Sequence, residues 1–451
     1  MAIQIAPNPN SGSIDVGDGG YNDQIFVNNG TIKIGNEILF SNNAKILNHG
    51  LLYNLSGGNL WNSGTLHINI QGLLSNLGSL KSYDNSFLTV DKGGNVKNSG
   101  EVVSGGTIRN SGRIENSLHG AINNEGELTN DLNGVINNKG SVVNNGYVHN
   151  ETRAIFKNNG FTNYGKLINK QGGIFECGSM FNTNGVGSVV NDGEMTIKVS
   201  MENWGDFDNT GEFSNSGSIS NGNTSSLENS GSLINSSGSI ISLDPGAIMR
   251  NEANGAIINN GKILSSGKIV NDGLIDNTNG LIKGVVEGGG RIVGPKLTGS
   301  GKISGNYVNY GIISPGNSAG GKLFDGTLTH QDKGLTSIEL GGDSDASRDR
   351  VKSEYDFIDI TGDLIINGGL LEVSLINDFK LNQNQEFIIT KLDGELKGHY
   401  DGLQEGASVG QFESIHGFSI DLHISYMAGD GNDIGLYTEP FTNPEMIFGY
   451  S

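Results

Sequence analysis

Apolar residues recur along this chain at short, regular intervals, separated by asparagine and glycine. Between residues 108 and 167, three successive intervals sum to 20, 20 and 19 residues. These intervals are too short for long alternating strands, so they predict a repeat of about 20 residues made of three short strands. The apolar positions that define the repeat are Ile108, Ile114, Ile122, Leu128, Ile136, Val142, Val148, Phe156, Phe161 and Leu167.

Asn-x-Gly triplets stand between the apolar positions and are interpreted as corners. Examples are Asn62-Ser63-Gly64, Asn110-Ser111-Gly112 and Asn124-Glu125-Gly126. Glycine permits a corner with φ > 0, and an asparagine amide can bond its own backbone or stack on the asparagine of the next coil. The predicted fold is all-β: a parallel β-solenoid, or three-faced β-helix, with coils about 4.8 Å apart around an axial core of Ile, Leu and Val.

Two other interpretations of the repeat are less consistent with it. Asn-Gly pairs such as Asn145-Gly146 are also hairpin signals, which leaves an antiparallel meander as one alternative. A disordered low-complexity chain is the other. The regular apolar spacing, and the predominance of Asn two residues before Gly, favour the solenoid.

Composition narrows the classes of function. The chain has 451 residues with 72 Gly, only 7 Pro and a net charge of −20. Such an acidic surface repels phosphate backbones, so we expect no nucleic-acid partner. Cys177 is the only cysteine, which excludes an intramolecular disulfide, and we expect it to be a small buried apolar residue. No apolar run approaches ~20 residues, so no membrane span is expected.

The last quarter of the chain departs from the repeat. Residues 313 to 323 read Ile-Ser-Pro-Gly-Asn-Ser-Ala-Gly-Gly-Lys-Leu. This segment resembles the SPGNSxG signature, followed by a leucine, at the C-terminal end of autotransporter passenger domains and related bacterial surface adhesins. The resemblance implies an extracellular β-helical stalk with a C-terminal β-rich segment that caps the solenoid, and adhesion as the usual role. Family members also carry a signal peptide and a translocator barrel, and we expect neither in this chain. The similar segments are Ile313-Ser314-Pro315-Gly316-Asn317-Ser318-Ala319-Gly320-Gly321-Lys322-Leu323, Tyr355-Asp356-Phe357-Ile358-Asp359-Ile360-Thr361-Gly362 and Gly429-Asp430-Gly431-Asn432-Asp433-Ile434.

These patterns divide the chain into four predicted parts. Residues 1–25 are expected to cap the open first coil, and residues 26–310 to form the Asn/Gly-rich β-solenoid. Residues 311–437 form the C-terminal β-rich, passenger-like capping domain, and residues 438–451 a tail.

One segment is a candidate metal site. Asp430, Asn432 and Asp433 lie in a string close to the Ca²⁺-binding nonapeptide of parallel β-rolls. A similar string spans residues 17–23. Calcium binding in β-rolls uses tandem copies that share ligands, and each string stands alone, so a polar turn is the competing interpretation. Apart from Ca²⁺, no cofactor is expected.

The sequence predicts a binding protein rather than an enzyme. Asp206, Asp208 and Glu212 are spread through corners without a recognisable catalytic pattern. Trp61 and Trp204 each stand beside a corner asparagine, where stacking on a sugar ring competes with simple packing.

The predicted function is an extracellular structural or adhesive rod on a cell surface or virion. Its partners would be a cell-surface glycan, a protein receptor or further copies of the chain. One alternative is a phage tail appendage or tailspike-like glycan-processing β-helix, and another is a self-assembling surface filament or layer subunit.

Overall fold

A computed structural model describes residues 3–183, 187–277, 280–287, 291–293, 296–299, 302–304, 307–309, 311–316 and 319–439. The chain divides into two compact units, Met1–Ile248 and Met249–Ser451.

The first unit consists of short β-strands joined by tight corners. Its strands are β1 Ile3–Gln4, β2 Ser13–Val16, β3 Gly20–Asn22, β4 Ile25–Asn28, β5 Thr31–Ile34, β6 Leu39–Asn42, β7 Lys45–Asn48, β8 Leu51–Asn54, β9 Asn59–Asn62, β10 Thr65–Ile68, β11 Leu73–Asn76, β12 Ser79–Ser82, β13 Phe87–Val90, β14 Asn95–Asn98, β15 Glu101–Ser104, β16 Thr107–Asn110, β17 Arg113–Asn116, β18 Ala121–Asn124, β19 Glu127–Asn130, β20 Val135–Asn144, β21 Tyr147–Asn150, β22 Ile155–Asn163, β23 Lys166–Asn169, β24 Ile174–Asn182, β25 Ser188–Asn191, β26 Glu194–Asn203, β27 Asp206–Asn209, β28 Glu212–Asn215, β29 Ser218–Asn221, β30 Ser226–Asn229, β31 Ser232–Asn235 and β32 Ile240–Leu243.

The strands of this unit pair in parallel with the strand one coil away, which confirms the three-faced β-solenoid. Strand β5 pairs with β2 and β8, and β6 pairs with β3 and β9. The coils have three faces, each a stack of parallel strands. The first face is made of β2, β5, β8, β11, β14, β17, the first halves of β20, β22, β24 and β26, and then β28 and β31. The second face holds β3, β6, β9, β12, β15, β18, the second halves of the same four long strands, β29 and β32. The third face holds β4, β7, β10, β13, β16, β19, β21, β23, β25, β27 and β30. The antiparallel meander is therefore excluded for this unit.

From β4 onward, the strands of this unit send their second residue into the axial core. The ten apolar positions predicted between residues 108 and 167 are all buried, with at most 4 % of their surface exposed. Aromatic rings replace aliphatic side chains in part of the column, where Phe156 and Phe175 lie with ring centroids 5.2 Å apart. The predicted inward orientation is confirmed.

The fourth residue of most strands is an asparagine that is also buried, and these asparagines form hydrogen-bonded ladders. The Nδ2 of Asn28 donates to Oδ1 of Asn48 at 2.7 Å, and Asn42 makes the same bond to Asn62 at 2.8 Å. A second amide proton reaches a backbone carbonyl, as from Asn42 to Thr65 O at 3.0 Å. Buried amides are stable only when they are hydrogen-bonded, so the ladders satisfy the polar corners of the core.

Ladders are interrupted where another residue replaces asparagine, and some atoms at the interruptions lack a partner. On the first face, Oδ1 of Asn54 has no donor from the preceding coil, and Nδ2 of Asn158 has no acceptor on the following coil. The residue in register with Asn158 on the next coil is Cys177. Cys177 is fully buried, as predicted, and burial raises the pKa of its thiol to about 12.

The glycines of the Asn-x-Gly corners are required by close packing, and the prediction of a left-handed backbone is wrong there. A Cβ on Gly100 would lie 2.0 Å from the carbonyl oxygen of Gly78, and one on Gly126 would lie 2.2 Å from that of Gly106. Neither glycine has a positive φ. Left-handed glycines occur instead at other corners, such as Gly57 at φ 76°.

The second unit continues with parallel strands and ends with antiparallel ones. The elements, from the strand that spans the boundary onward, are β33 Ile248–Asn251, β34 Ala256–Asn259, β35 Lys262–Asn271, β36 Leu274–Asp276, β37 Leu281–Glu287, β38 Arg291–Val293, β39 Lys296–Gly299, β40 Lys302–Ser304, β41 Tyr307–Asn309, β42 Ile312–Pro315, β43 Gly321–Asp325, β44 Leu328–His330, β45 Leu335–Leu340, a 3₁₀ turn Ala346–Arg348, β46 Phe357–Ile360, β47 Leu364–Asn367, β48 Leu370–Leu375, β49 Glu386–Leu392, β50 Leu396–His399, β51 Ser408–Glu413, β52 Ser419–Ala428 and β53 Asp433–Thr438.

The parallel stack of the second unit is closed by the hairpin β52–β53. Strand β49 pairs in parallel with β46 on one side and antiparallel with β53 on the other, so β53 covers the open edge of β49. Within the SPGNSxG-like segment, Asn317 and Ser318 lie outside the described residues.

The predicted boundaries at residues 25, 310 and 437 stay predictions, as does a capping role for residues 1–25. Strands β2 and β3 lie within that stretch and already pair in the coil register. Most of the predicted tail, residues 440–451, lies outside the described residues.

Candidate functional site

A groove of about 990 Å³ runs along the first face across strands β14, β17, β20, β22, β24 and β26. Its floor is formed by the third residue of the first five of these strands, which points outward because side chains alternate along a strand. In register, this row reads Lys97, Glu115, Asn137, Lys157 and Glu176. The walls come from outward strand residues and corners: Ser99, Arg113, Ser117, Leu118, Lys139, Asn159, Gly178, Lys198 and Val199.

Cations outnumber carboxylates in this groove. Its lining carries Lys97, Arg113, Lys139, Lys157 and Lys198 against two glutamates, an excess of three positive charges. In a chain with a net charge of −20, the groove is a basic surface on an acidic protein. Adjacent like charges repel, and counter-charges within the groove or a bound anion lower that repulsion.

The two glutamates of the groove are held by its cations. Glu176 lies 3.2 Å from Lys157 Nζ through Oε1 and also pairs with Lys198 through Oε2. Glu115 Oε1 lies 2.7 Å from Arg113 Nε. The hydrogen bond from Lys198 is the largest cause that lowers the pKa of Glu176. A carboxylate with a lowered pKa is ionised at neutral pH and is a poor proton donor.

A second, smaller groove lies on the third face, and both its arginine and its lysine are paired with carboxylates. Arg109 Nε lies 2.6 Å from Asp131, and Lys170 Nζ lies 2.7 Å from Glu151. These pairs leave the groove without a net excess of cations, in contrast to the first face.

The predicted calcium ligands lie in the turn between β52 and β53. Asp430 is exposed, Asn432 donates to Gly394 O at 2.7 Å, and buried Asp433 accepts from the backbone N–H of Leu392 at 2.9 Å. Burial is the largest cause that raises the pKa of Asp433. The turn geometry places Asn432 and Asp433 in contact with the neighbouring β49–β50 connection, and calcium binding here stays a prediction.

The similar string near the N-terminus contributes to the solenoid itself. Asn22 is a ladder residue that donates to Asn42 at 2.9 Å, and Asp23 accepts from Asn43 at 2.8 Å. Among the described residues, no cluster of three or more His, Cys, Asp or Glu side chains could hold a metal ion.

The carboxylates considered for catalysis are not brought together. Asp206 and Asp208 lie on β27 of the third face, whereas Glu212 lies on β28 of the first face. Burial, and then the neighbouring Asp206, raise the pKa of Asp208.

Both tryptophans pack against neighbouring groups. Trp61 is 39 % exposed and meets the edge of Tyr83 with centroids 6.0 Å apart. Trp204 is half-buried and lies over Gly222 of the next coil, where a Cβ would come within 2.3 Å of the indole. Trp61 is partly exposed, and its stacking on a sugar ring stays a prediction.

Sequence reasoning missed the basic groove and two buried ionisable groups of the second unit. Asp356 accepts from the N–H groups of Gly320 and Glu339 at 2.9 and 3.0 Å, and burial raises its pKa to about 8. His330 occupies the strand position that a ladder asparagine holds in other coils, and its ring lies next to the amide of Asn309. Burial lowers the pKa of His330 to about 4. The groove could have been found by reading the residue immediately before the last inward position of every third strand, since those residues share one outward row on the first face.

The fold therefore defines a three-faced parallel β-solenoid with a basic groove on one face. No protein-family model and no curated protein matches the chain. Among solved structures, the crystal structure of a TibC-catalysed, hyper-glycosylated TibA fragment covers 81 % of this chain and 97 % of the fragment, with 14 % identity and a TM-score of 0.20. With so low a TM-score, the fold assignment rests on the strand pairing described above.

No helix long and apolar enough to cross a membrane occurs among the residues that the structure describes.

Proposed function

We propose that this chain is a non-enzymatic adhesive β-solenoid, displayed outside the cell or on a virion, that binds its partner through a lateral face. The observation that carries the proposal is the groove on the first face, which six consecutive coils line, five of them through an in-register row of outward side chains. A row of this kind offers several weak contacts along one line, which suits avid attachment to a repetitive surface.

A binding role is supported by the state of the groove carboxylates. A general acid needs a raised pKa, whereas the pKa of Glu176 is lowered by Lys198 and Lys157. Glu115 is held in an ion pair by Arg113. The groove thus has contacts for a ligand, and Glu176 is not poised as a proton donor.

An extracellular or surface location is supported by the resemblance of the C-terminal segment to adhesin passengers and by the Asn/Gly-rich repeat. The partner would be a glycan or receptor on another cell. Self-association of several copies would add avidity without a new contact in the groove.

The test compares binding of the chain to cells or glycans with enzymatic cleavage of the polysaccharides it binds. The full chain should bind intact host cells or a panel of immobilised glycans and should release no reducing sugar from the polysaccharides it binds. Release of reducing ends would overturn the proposal in favour of a glycan-processing β-helix. Filaments in negative stain that form without any cell or glycan binding would instead identify an architectural subunit.

A further inference from the structure

We propose that the groove of the first face binds an extended acidic polysaccharide, with Lys97, Lys139 and Lys157 contacting its anionic groups. The inference rests on the proposed adhesive function and names the class of ligand for that surface. Three features of the groove carry it: its charge, its length and the absence of aromatic groups from its lining.

The charge of the groove favours an anionic ligand. Lys97 and Lys139 are exposed and form no ion pair with any described residue, whereas Lys157 and Lys198 share the carboxylate of Glu176. A lysine ammonium has three donors, so each lysine that contacts Glu176 keeps donors for a second acceptor. Lys157 and Lys198 are also half exposed, at 50 % and 55 % of their side-chain surface, and are therefore accessible to a ligand.

The length of the groove suits a polymer. Six strands in register, separated by about 4.8 Å, span about 24 Å along the face. A volume of about 990 Å³ is far larger than a single sulfate or acetate occupies. Lys97 and Lys157 occupy equivalent strand positions three coils apart, or about 14 Å, so one bound chain would contact both.

The other lining groups match a sugar chain. Ser99, Ser117, Asn137 and Asn159 supply hydroxyl and amide groups between the cations. These groups can donate to and accept from the hydroxyls of a saccharide, and a neutral amide does not repel a carboxylate. Exposed Leu118 offers an apolar contact for the C–H face of a sugar ring.

Nucleic acid fits the groove less well than an acidic glycan. Sequence-tolerant binding of single strands uses aromatic side chains as stacking platforms, and the groove lining contains no Phe, Tyr, Trp or His. A duplex carries one charge per ~1.7 Å, and the strong negative charge of the whole chain opposes so dense a polyanion. An acidic polysaccharide, in which hydroxyls separate the anionic groups, suits an excess of three positive charges.

The experiment measures binding of the full chain to immobilised polygalacturonate, heparin, neutral dextran and duplex DNA, at low and at physiological salt. We expect binding to polygalacturonate or heparin that weakens as salt rises, and little binding to dextran or DNA. The double variant Lys97→Gln/Lys157→Gln should bind the acidic glycan about tenfold more weakly, because two exposed charge contacts are lost. The double variant Lys97→Arg/Lys157→Arg should retain binding.

Lys33→Gln is the matched control. Lys33 occupies the same outward strand position on the first face, three coils before Lys97, but lies outside the groove. The substitution Lys33→Gln removes one charge without changing the lining of the groove, so it should leave the affinity for the acidic glycan unchanged. Far-UV spectra of all variants should match the unaltered chain, because these lysines are exposed.

Distinct outcomes separate the inference from the proposed function. If the chain binds cells or dextran but no acidic polymer, the inference fails and the adhesive function stands. Binding to none of the cells or glycans defeats both. The inference also fails if DNA binds more tightly than either acidic glycan, or if the double glutamine variant binds as well as Lys33→Gln.

Discussion

Replacement of one asparagine inside a ladder should cost far more stability than replacement of its outward neighbour. Asn144 is fully buried and takes part in three hydrogen bonds. It accepts from Asn124 at 2.8 Å, and donates to Asn163 at 2.8 Å and to the carbonyl of Lys166 at 3.2 Å. At about 1 kcal/mol for each bond, Asn144→Ala should lower the free energy of unfolding by about 3 kcal/mol.

Two further variants calibrate this value. Asn124 begins its ladder and donates to Gly126 O, Asn144 Oδ1 and Tyr147 O, but its own Oδ1 has no partner. Asn124→Ala removes three bonds together with one unsatisfied atom, so we expect a smaller loss, of about 2 kcal/mol. Asn123 precedes it on the same strand and points outward, with a single 3.3 Å contact to Glu101, so Asn123→Ala should change stability by less than about 0.5 kcal/mol.

The assay is urea denaturation followed by far-UV circular dichroism, combined with hydrogen exchange of the strands that flank the substitution. Hydrogen exchange is needed because stacked repeats can open locally. The expected order of destabilisation is Asn144→Ala, then Asn124→Ala, then Asn123→Ala. Equal stability of Asn144→Ala and Asn123→Ala would refute the stabilising role of the ladder.

Three other perturbations have expected outcomes. Gly100→Ala should destabilise the chain by ~3 kcal/mol because its Cβ would overlap a carbonyl, whereas a Cβ on Gly160 has only one neighbour, at 4.0 Å, and Gly160→Ala should be neutral. Equal urea midpoints for the two variants would contradict the packing explanation. Ile136→Asp should cost at least ~3 kcal/mol and abolish exchange protection in adjacent coils, since a charge would enter the core, and unchanged thermal stability would count against its inward position. His330 is neutral when folded, with a pKa of about 4 against 6.5, so the stability it confers is complete above pH 6.5 and is lost as pH falls towards 4, by about 3 kcal/mol in total. His330→Asn should remove that part of the acid sensitivity, and identical pH profiles of the two proteins would exclude it.

The repeat could be predicted from the sequence because a single geometric rule generates it. A side chain that faces the axis must be apolar and a corner must accommodate close backbones, so both requirements recur in every coil. Ile136 and Asn110 could therefore be assigned from spacing alone. The physical reason for the corner glycines could not, because the clash that excludes a Cβ at Gly100 comes from Gly78, one coil earlier.

The groove was harder to predict because its residues are distant in sequence. Lys97 and Lys198 are separated by some 100 residues, and only the coil register brings them to one face. The closure of the second unit was also beyond periodic reasoning, since the antiparallel strand β53 breaks the pattern that the repeat follows. His330 and Asp356 owe their shifted pKa values to burial, which depends on the three-dimensional packing.

The asparagine ladders have a direction. In each asparagine pair described for the ladders, Nδ2 of one coil donates to Oδ1 of the following coil, as in Asn28 to Asn48 and Asn203 to Asn221. The C-terminal edge of a partly folded stack therefore presents amide protons, while its N-terminal edge presents amide oxygens. A new coil completes the ladder at either edge when its amides take the same orientation as those already stacked. Each ladder is therefore polar along its whole length, and its two ends offer opposite hydrogen-bonding groups.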